Sequence, residues 1–178
     1  MEGVQHSSLT TDVLEDCVGP RWDEKRHVRL DFSSPLFCLE TLTGRDGGLL
    51  NPRLNLSNLL TLDISNNALT DIDSVLSVHN GFKRLHTLKA SRNRITQADL
   101  DLPTLAYLDL SFNQLKRLPR FEGIRNTEEL LLSNNHISGQ THAQYTHLSC
   151  IYTCTLSTHS QRLYTYKHKS RSCMDARS

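Results

Sequence analysis

Long hydrophobic runs are missing from this sequence, and so is a strong excess of either charge. No apolar stretch approaches the ~18 residues that a membrane-spanning helix needs, so no membrane segment is expected. The 178 residues include 20 lysines and arginines against 19 aspartates and glutamates, which gives a formal net charge of +1. A balanced charge provides no general attraction for polyanions. The sequence therefore predicts neither a membrane partner nor a specific nucleic-acid partner.

Export signals and paired cysteines are lacking as well. The first residues, MEGVQHSSLTTDVLEDCVG, contain no basic segment followed by an apolar one, which a secretory signal peptide requires. The five cysteines are an odd number in a chain without such a signal, so free thiols in a reducing compartment are expected. The expected location is the cytoplasm, with the nucleus as an alternative.

Arrangements of residues that carry chemistry are also absent. The glycine-rich GRDGG at 44–48 lacks the lysine and the strand–helix frame of a phosphate-binding loop, so a flexible turn is expected. The acidic DID at 71–73 and DLD at 99–101 follow repeat strands, where carboxylates cap turns. No nucleophile is paired with a base. The sequence therefore predicts that the protein is not an enzyme and has no cofactor and no metal site.

What the sequence does contain is one eleven-residue pattern, LxxLxLxxNxL, in four copies. They start at residues 59, 85, 105 and 127 and read LLTLDISNNAL, LHTLKASRNRI, LAYLDLSFNQL and TEELLLSNNHI. Their spacing matches the leucine-rich-repeat period of about 20–29 residues. Apolar residues alternate at the start of each copy, which predicts a short strand with one buried face. Stacked copies then share a core that a single copy cannot form.

An asparagine stands in the ninth place of every copy, where the chain must turn after the strand. Its amide can bond with backbone groups that the turn leaves without partners, and each such buried group costs about 1–3 kcal/mol if unpaired. We therefore predict a structural ladder of asparagines that runs from coil to coil. Its members are Asn67, Asn93, Asn113 and Asn135.

A weaker copy precedes these four. HVRLDFSSPLF, which starts at residue 27, aligns Leu30 with Leu62 but has Pro35 in the asparagine place. We interpret it as a first strand or cap of an array that spans 27–139, and an unrelated strand is the alternative. The segment 1–26 is polar, and it either forms a short helix across the open end of the stack or is disordered.

The composition changes after Gly139. Thr, His, Ser, Tyr and Cys make up 23 of the 39 residues in 140–178, and the leucine pattern stops. We interpret this low-complexity tail as an alternative or spurious end, such as a retained intron, and an ordinary disordered tail is the alternative. Two His and two Cys within 147–159 are too crowded and too far from any core for a zinc finger, so they are interpreted as incidental.

The segment FEGIRNTEELLLSNNHISG at 121–139 resembles the short intracellular leucine-rich-repeat class. That class includes the repeats of the protein phosphatase one regulatory subunit and of the spliceosomal A-prime protein. The resemblance implies an α/β repeat solenoid, a short arc with parallel concave strands and a mostly irregular convex side. It also implies a non-catalytic intracellular adaptor that binds another protein.

The connections between repeats predict little regular structure on the convex side. The first, TDIDSVLSVHNGFKRL, fits a helical stripe that Asn80 and Gly81 end. The others are short or contain proline. The stripe consists of Ile72, Val75, Leu76 and Phe82.

Residues that alternate with the buried leucines are expected on the concave face, together with variable residues of the turns. Variation over an invariant frame is how a solenoid acquires specificity. Tyr107 and Phe112 are the strongest candidates because exposed aromatic residues anchor interfaces. For each candidate, a solvated surface residue is the alternative. The predicted partner-binding residues are Thr61, Asp63, Thr87, Lys89, Arg92, Tyr107, Asp109, Phe112, Glu129 and Leu131.

The predicted concave face is small. Strands at a spacing of ~4.8 Å give a strip only ~20 Å long, and a standard interface needs ~800 Å² per partner. A weak adaptor is expected, and the alternative is a truncated or alternatively spliced fragment of a larger repeat protein with little independent function. No amphipathic helix follows Ile137 to cover the last coil. We therefore expect self-association through an uncapped C-terminal end.

Overall fold

The computed structural model shows a chain that winds through successive coils, each of which contributes a short strand. The residues that it describes are 6–10, 13–14, 28–34, 37–44, 47–51, 55–120, 122–137, 151–153 and 166–167. Within these residues, no helix has the length and apolar character that crossing a bilayer demands.

Most strands belong to one sheet. The strands are β1 (His6–Ser8), β2 (Arg29–Asp31), β3 (Phe37–Thr41), β4 (Thr61–Asp63), β5 (Thr87–Lys89), β6 (Tyr107–Asp109), β7 (Glu129–Leu131), β8 (Ile151–Thr153) and β9 (Tyr166–Lys167). The main sheet has the order β2-β4-β5-β6-β7-β8-β9, and all its pairings are parallel except β8 with β9. β1 and β3 form a separate parallel pair. The predicted leucine-rich-repeat arc is confirmed.

The repeat leucines set the register of the sheet. A leucine stands in the middle of each repeat strand, and every pairing from β2 to β7 brings two of these leucines side by side. Their side chains are buried, as are the apolar residues two positions later. β2 follows the same register, with Leu30 beside Leu62, so the degenerate first copy supplies a strand to the same sheet. The aligned leucines are Leu30, Leu62, Leu88, Leu108 and Leu130.

The asparagine ladder connects each coil to the one before it. Asn113 Nδ2 donates to the carbonyl oxygen of Ala90 in the preceding coil at 2.9 Å and to that of Leu110 at 3.0 Å. Its Oδ1 accepts from the N–H of Ile95 at 3.1 Å. All these groups are buried, so the amide satisfies backbone groups that water does not reach. The same bonds are made by Asn67, Asn93 and Asn135.

Thr127 stands where the other three clear copies begin with leucine. Its side chain is nevertheless buried, and its hydroxyl donates to the carbonyl oxygen of Leu105 at 3.2 Å. That bond goes to the preceding coil, so the polar substitution adds a connection between coils while its hydroxyl remains satisfied.

The N-terminal residues pack against the first coil. Leu9, Val13 and Leu14 are buried in the same apolar cluster as the repeat leucines. Gly48, at the end of the GRDGG stretch, is buried and begins the 3-10 helix Gly48–Leu50, so this residue is not part of a flexible turn. A Cβ on Gly48 would lie 2.4 Å from the carbonyl oxygen of Leu9. Glycine is needed here for a close approach between two chain segments.

The predicted helix in the first connection is wrong. The stripe residues are buried, but the described segment contains only a turn and the 3-10 helix Val78–Asn80, which Gly81 ends in the left-handed region at φ 101°. The N–H of Val78 donates to the carbonyl oxygen of Asp101 at 2.8 Å. In an α-helix, the N–H of Val78 would donate to the carbonyl oxygen of residue 74. Here it donates to the next coil instead, so the helical hydrogen bond is not formed. The convex side is irregular, as predicted.

At the C-terminal end, the edge of the last repeat strand is paired. β8 lies parallel to β7, with Ile151 beside Glu129 and Thr153 beside Leu131. The expectation of an uncovered end is therefore wrong along this strand edge, because a strand from within 140–178 supplies its hydrogen-bond partners. Self-association stays a prediction, and the His and Cys pattern at 147–159 lies almost wholly outside the described residues.

Candidate functional site

The strands place their first and third residues on the face opposite the core. In β5, β6 and β7, the middle leucine is buried, whereas its two neighbours are partly or fully accessible. We call the accessible first and third residues of β4 to β7 the concave strip. β4 departs from the pattern because Asp63 is only 7% exposed. The other members of the strip are Thr61, Thr87, Lys89, Tyr107, Asp109, Glu129 and Leu131.

Several aspartates at the ends of strands hold the turns as well as facing the strip. Asp109 Oδ1 accepts from the N–H of Ser111 at 2.9 Å and from its hydroxyl at 2.6 Å. Asp63 accepts from the N–H of Ser65 at 3.1 Å. The same bonds recur at Asp31, whose pKa is lowered chiefly by the hydrogen bond from the Ser33 hydroxyl. Sequence reasoning missed this role, although the repeated D-x-S spacing is typical of such turns.

Charges on the strip are distributed unevenly. Lys89 Nζ lies 3.8 Å from a carboxylate oxygen of Asp63, so these two side chains neutralise each other. Among the described residues, no lysine or arginine lies within ion-pairing distance of Asp109 or Glu129. The part of the strip on β6 and β7 is therefore acidic, whereas the part on β4 and β5 is balanced.

Tyr107 lies within the acidic part and is half-buried. Burial raises the pKa of its hydroxyl above the usual range, and the carboxylates of Asp109, Glu129 and Asp63 raise it further. The hydroxyl therefore stays protonated at neutral pH and can donate a hydrogen bond. Its ring provides apolar surface on β6, beside Glu129 of β7 and two residues before Asp109.

Arg92 and Phe112 form a second accessible feature at the turns. Both have φ 56°, in the left-handed region that side chains other than asparagine rarely adopt. The guanidinium carbon of Arg92 lies 4.6 Å from the centre of the Phe112 ring, within the range of a cation–π interaction. Phe112 is 45% exposed. The equivalent positions in the neighbouring coils are Asn66 and Asn134, at φ 60° and 56°.

A shallow pocket of about 460 Å³ opens beside the first residues of β4 and β5. Arg84 at its rim donates from Nη1 to Asn58 Oδ1 at 3.2 Å, which orients the guanidinium. Sequence reasoning predicted Thr61 and Thr87 at this face but missed the pocket, because Arg84 and Thr104 lie outside the repeat copies and carry no motif. Its lining residues are Leu60, Thr61, Arg84, His86, Thr87 and Thr104.

A separate group of charges lies in the connections that follow the ladder turns. Asp99 is held by Arg117 through two contacts, at 3.0 and 2.5 Å, and by Arg120 at 3.5 Å. The hydrogen bond from Arg117 holds the pKa of Asp99 below its usual range. Asp73 is different, since both its carboxylate oxygens are buried without a hydrogen-bond partner among the described residues. Burial raises the pKa of Asp73, and the charges of Asp71 and Asp99 add to that rise.

Comparisons with known proteins agree with the repeat. No protein-family model matches the chain. The chain is 35% identical over 86 residues to lumican from Gallus gallus and to lumican from Coturnix japonica, which covers 46% of this chain and 24% of each lumican. A structure of the functional domain of InlJ from Listeria monocytogenes has a TM-score of 0.45 and 21% identity, and covers 71% of this chain and 33% of that one. The chain thus spans about a quarter of the length of the lumicans. The repeat geometry and the similarity to lumican together support a leucine-rich-repeat protein.

Proposed function

We propose that this chain is a non-catalytic protein-interaction module that acts as an intracellular adaptor. It binds a partner protein with the concave strip and with the adjoining pair Arg92 and Phe112. The observation that carries the proposal is the placement of these two side chains at left-handed turn positions, where they stack and remain accessible. Asparagine fills the equivalent turns without strain, so an arginine and a phenylalanine there are unfavourable for folding alone.

Arg92 and Phe112 also add to the small accessible area of the concave strip. Strand spacing of ~4.8 Å gives a strip about 20 Å long, which is short for an interface of ~800 Å² per partner. Phe112 and Arg92 extend the accessible surface beyond the ends of β5 and β6. Aromatic and arginine side chains are also the residues that most often dominate binding energy at interfaces.

The proposed location is the cytoplasm or the nucleus. Cys38 in β3 is exposed and carries a free thiol, which is typical of proteins that work in a reducing compartment. Expression of the full chain in cells, followed by fractionation and thiol labelling of Cys38 in the recovered protein, tests this. A chain recovered only from secreted material would contradict the intracellular proposal.

Substitutions taken from the repeat itself test the proposed function. Phe112→Asn and Arg92→Asn place asparagine where Asn66 and Asn134 already stand, so they remove the side chains without disturbing the turn. Proximity labelling with the full chain as bait should recover proteins that the double variant does not recover. Glu122→Gln, an exposed change in the 3-10 helix Glu122–Ile124, serves as the control.

The outcomes separate the alternatives. Proteins retained by the double variant as well as by the unchanged chain would place binding elsewhere and contradict the proposal. A folded chain that recovers no protein above background would instead favour a truncated or alternatively spliced fragment with little independent function.

A further inference from the structure

We infer that the concave strip recognises an extended protein segment that carries an acidic and a basic side chain about three residues apart. The acidic side chain lies at the pocket beside β4 and β5, and the basic side chain lies over β6 and β7. This inference rests on the proposed function and names the chemistry of the partner.

The pocket has the chemistry of a carboxylate site. Arg84 is fixed at its rim by Asn58, and no described aspartate or glutamate lies within ion-pairing distance of Arg84. Thr61 and Thr87, two hydroxyl-bearing residues of adjacent strands, line the same pocket. An oriented guanidinium with hydroxyl donors beside it suits a carboxylate, which accepts charge-assisted hydrogen bonds from both. Leu60 provides an apolar wall for the aliphatic part of the same side chain.

The other end of the strip has the opposite chemistry. Asp109 and Glu129 lack cationic partners among the described residues, and Tyr107 neighbours both, since it stands two residues before Asp109 in β6 and pairs with Glu129 of β7. Glu128, which directly precedes β7, is exposed and adds to the negative charge there. An ammonium or guanidinium group placed over this tyrosine gains from both the carboxylates and the ring face.

The geometry relates the two ends. Asp63 and Lys89, the third residues of β4 and β5, neutralise each other, so the positive charge near the pocket is that of Arg84 and the negative charge on β6 and β7 is that of Asp109 and Glu129. β5 and β7 are separated by two strand spacings, roughly 10 Å, a length that about three residues of extended chain cover. Opposite charges at the two ends favour one direction of the bound segment over the other.

Selection from a library of random twelve-residue peptides displayed on phage tests the inference with the full chain. Peptides that are enriched should carry an acidic and a basic residue about three positions apart. A synthetic peptide from that set should bind about twofold to fivefold more weakly to Glu129→Gln or to Arg84→Gln, as expected for partly exposed ion pairs. Glu122→Gln and Arg94→Gln remove the same charges from exposed positions outside the strip and should leave the affinity unchanged.

Reversing the charge of Glu129 tests the acidic end of the strip specifically. Glu129→Lys should select peptides that keep the acidic residue but replace the basic residue with an acidic or neutral one. Enriched peptides that lose binding with Phe112→Asn but show no paired charges would overturn this inference and leave the proposed function intact. If a folded chain enriches no peptide and proximity labelling recovers no protein, both the inference and the proposed function are wrong.

Discussion

Phe112 and Asn113 are neighbours in one turn, yet they have opposite surroundings. Asn113 is 5% exposed and its amide is bonded to four buried backbone groups, whereas Phe112 is 45% exposed and touches Arg92 of the adjacent coil. The repeat keeps the asparagine in every copy and varies the residue before it. A single backbone path can therefore hold the fold with one residue and offer a variable surface with the next.

The strand that leads into this turn, β6, shows the same contrast between Leu108 and Asp109. Leu108 lies in the core with no exposed surface, whereas Asp109 is partly accessible on the concave strip. Asp109 also accepts two hydrogen bonds from Ser111, so its separation from the frame is incomplete. Inward-facing and outward-facing residues of a strand therefore both contribute to stability, but by different amounts. Substitutions can measure these amounts.

The largest expected effect is that of Leu108→Ala. Removing a buried leucine leaves a cavity between two coils, and such changes cost about 2–5 kcal/mol in the free energy of unfolding. Urea unfolding followed by circular dichroism measures this loss. A loss below that of Asp109→Ala would contradict the register of β6.

Asn113→Ala should come next, with a loss of about 2–4 kcal/mol. It leaves the buried N–H of Ile95 without its acceptor, and such a group costs about 1–3 kcal/mol before relaxation. It also removes one hydrogen bond from each of the carbonyl oxygens of Ala90 and Leu110, which keep those from Asn93 and Asn135. Phe112→Asn in the adjacent position is the matched control and should leave stability unchanged or raise it. Equal losses in the free energy of unfolding for the two variants would show that Asn113 does not contribute more to stability than Phe112.

Asp109→Ala should cost about 0.5–1.5 kcal/mol, because it removes hydrogen bonds that are partly accessible to water. The sequence alone predicts almost no loss, so this variant distinguishes a purely exposed residue from one that also holds the turn. Asp109→Asn keeps an acceptor oxygen for Ser111 and should recover most of the loss. The same urea unfolding series measures both variants.

The smallest effects concern the charges beyond the ladder turns and depend on pH. The raised pKa of Asp73 means that its carboxyl favours folding most below the pKa of the unfolded chain, and this contribution falls as the pH rises through the folded pKa. Asp99 behaves oppositely, since its lowered pKa stabilises the fold above the unfolded pKa and this contribution falls on acidification.

Unfolding measured from acidic to neutral pH tests this pair. Asp73→Asn should become more stable relative to the unchanged chain as the pH rises, and Asp99→Asn should become less stable. Glu122→Gln provides a control with an exposed carboxyl. The same pH slope for both aspartate variants would contradict the opposite shifts.

The sequence predicts the strands and the buried turns well because the residues that form the repeat pattern are the same ones that stabilise the fold. Leucines with period two define the strand faces, and an asparagine at a fixed offset defines the buried turn, so Leu108 and Asn113 could both be placed without coordinates. The helix prediction for the first connection was wrong because the spacing of apolar residues does not show which acceptor a backbone N–H will bind. Val78 bonds to Asp101 in the next coil, and no local pattern encodes that choice.

The candidate site is less accessible to sequence reasoning. The strip residues lie where alternation predicts, but the pattern does not distinguish the buried Asp63 from the accessible Asp109. Arg84 comes from a connection without any motif, and no pattern shows that it meets Leu60 and the strand threonines at one pocket. The contact between Arg92 and Phe112 joins residues of two coils, and only the coordinates show that the side chains meet. The partner-binding roles of the strip residues stay predictions.

The asparagine ladder also gives the stack a direction. Each asparagine bonds to its own coil and to the one before it. In the preceding coil, Asn93 accepts from the N–H of Leu69, Asn113 from that of Ile95 and Asn135 from that of Leu115. The sequence contains no asparagine after Asn135 to do the same for Ile137. Protection of backbone amides from hydrogen exchange should therefore be asymmetric along the array. The loss of one asparagine should raise hydrogen exchange at the amide that it holds in the preceding coil, as Asn113 holds that of Ile95.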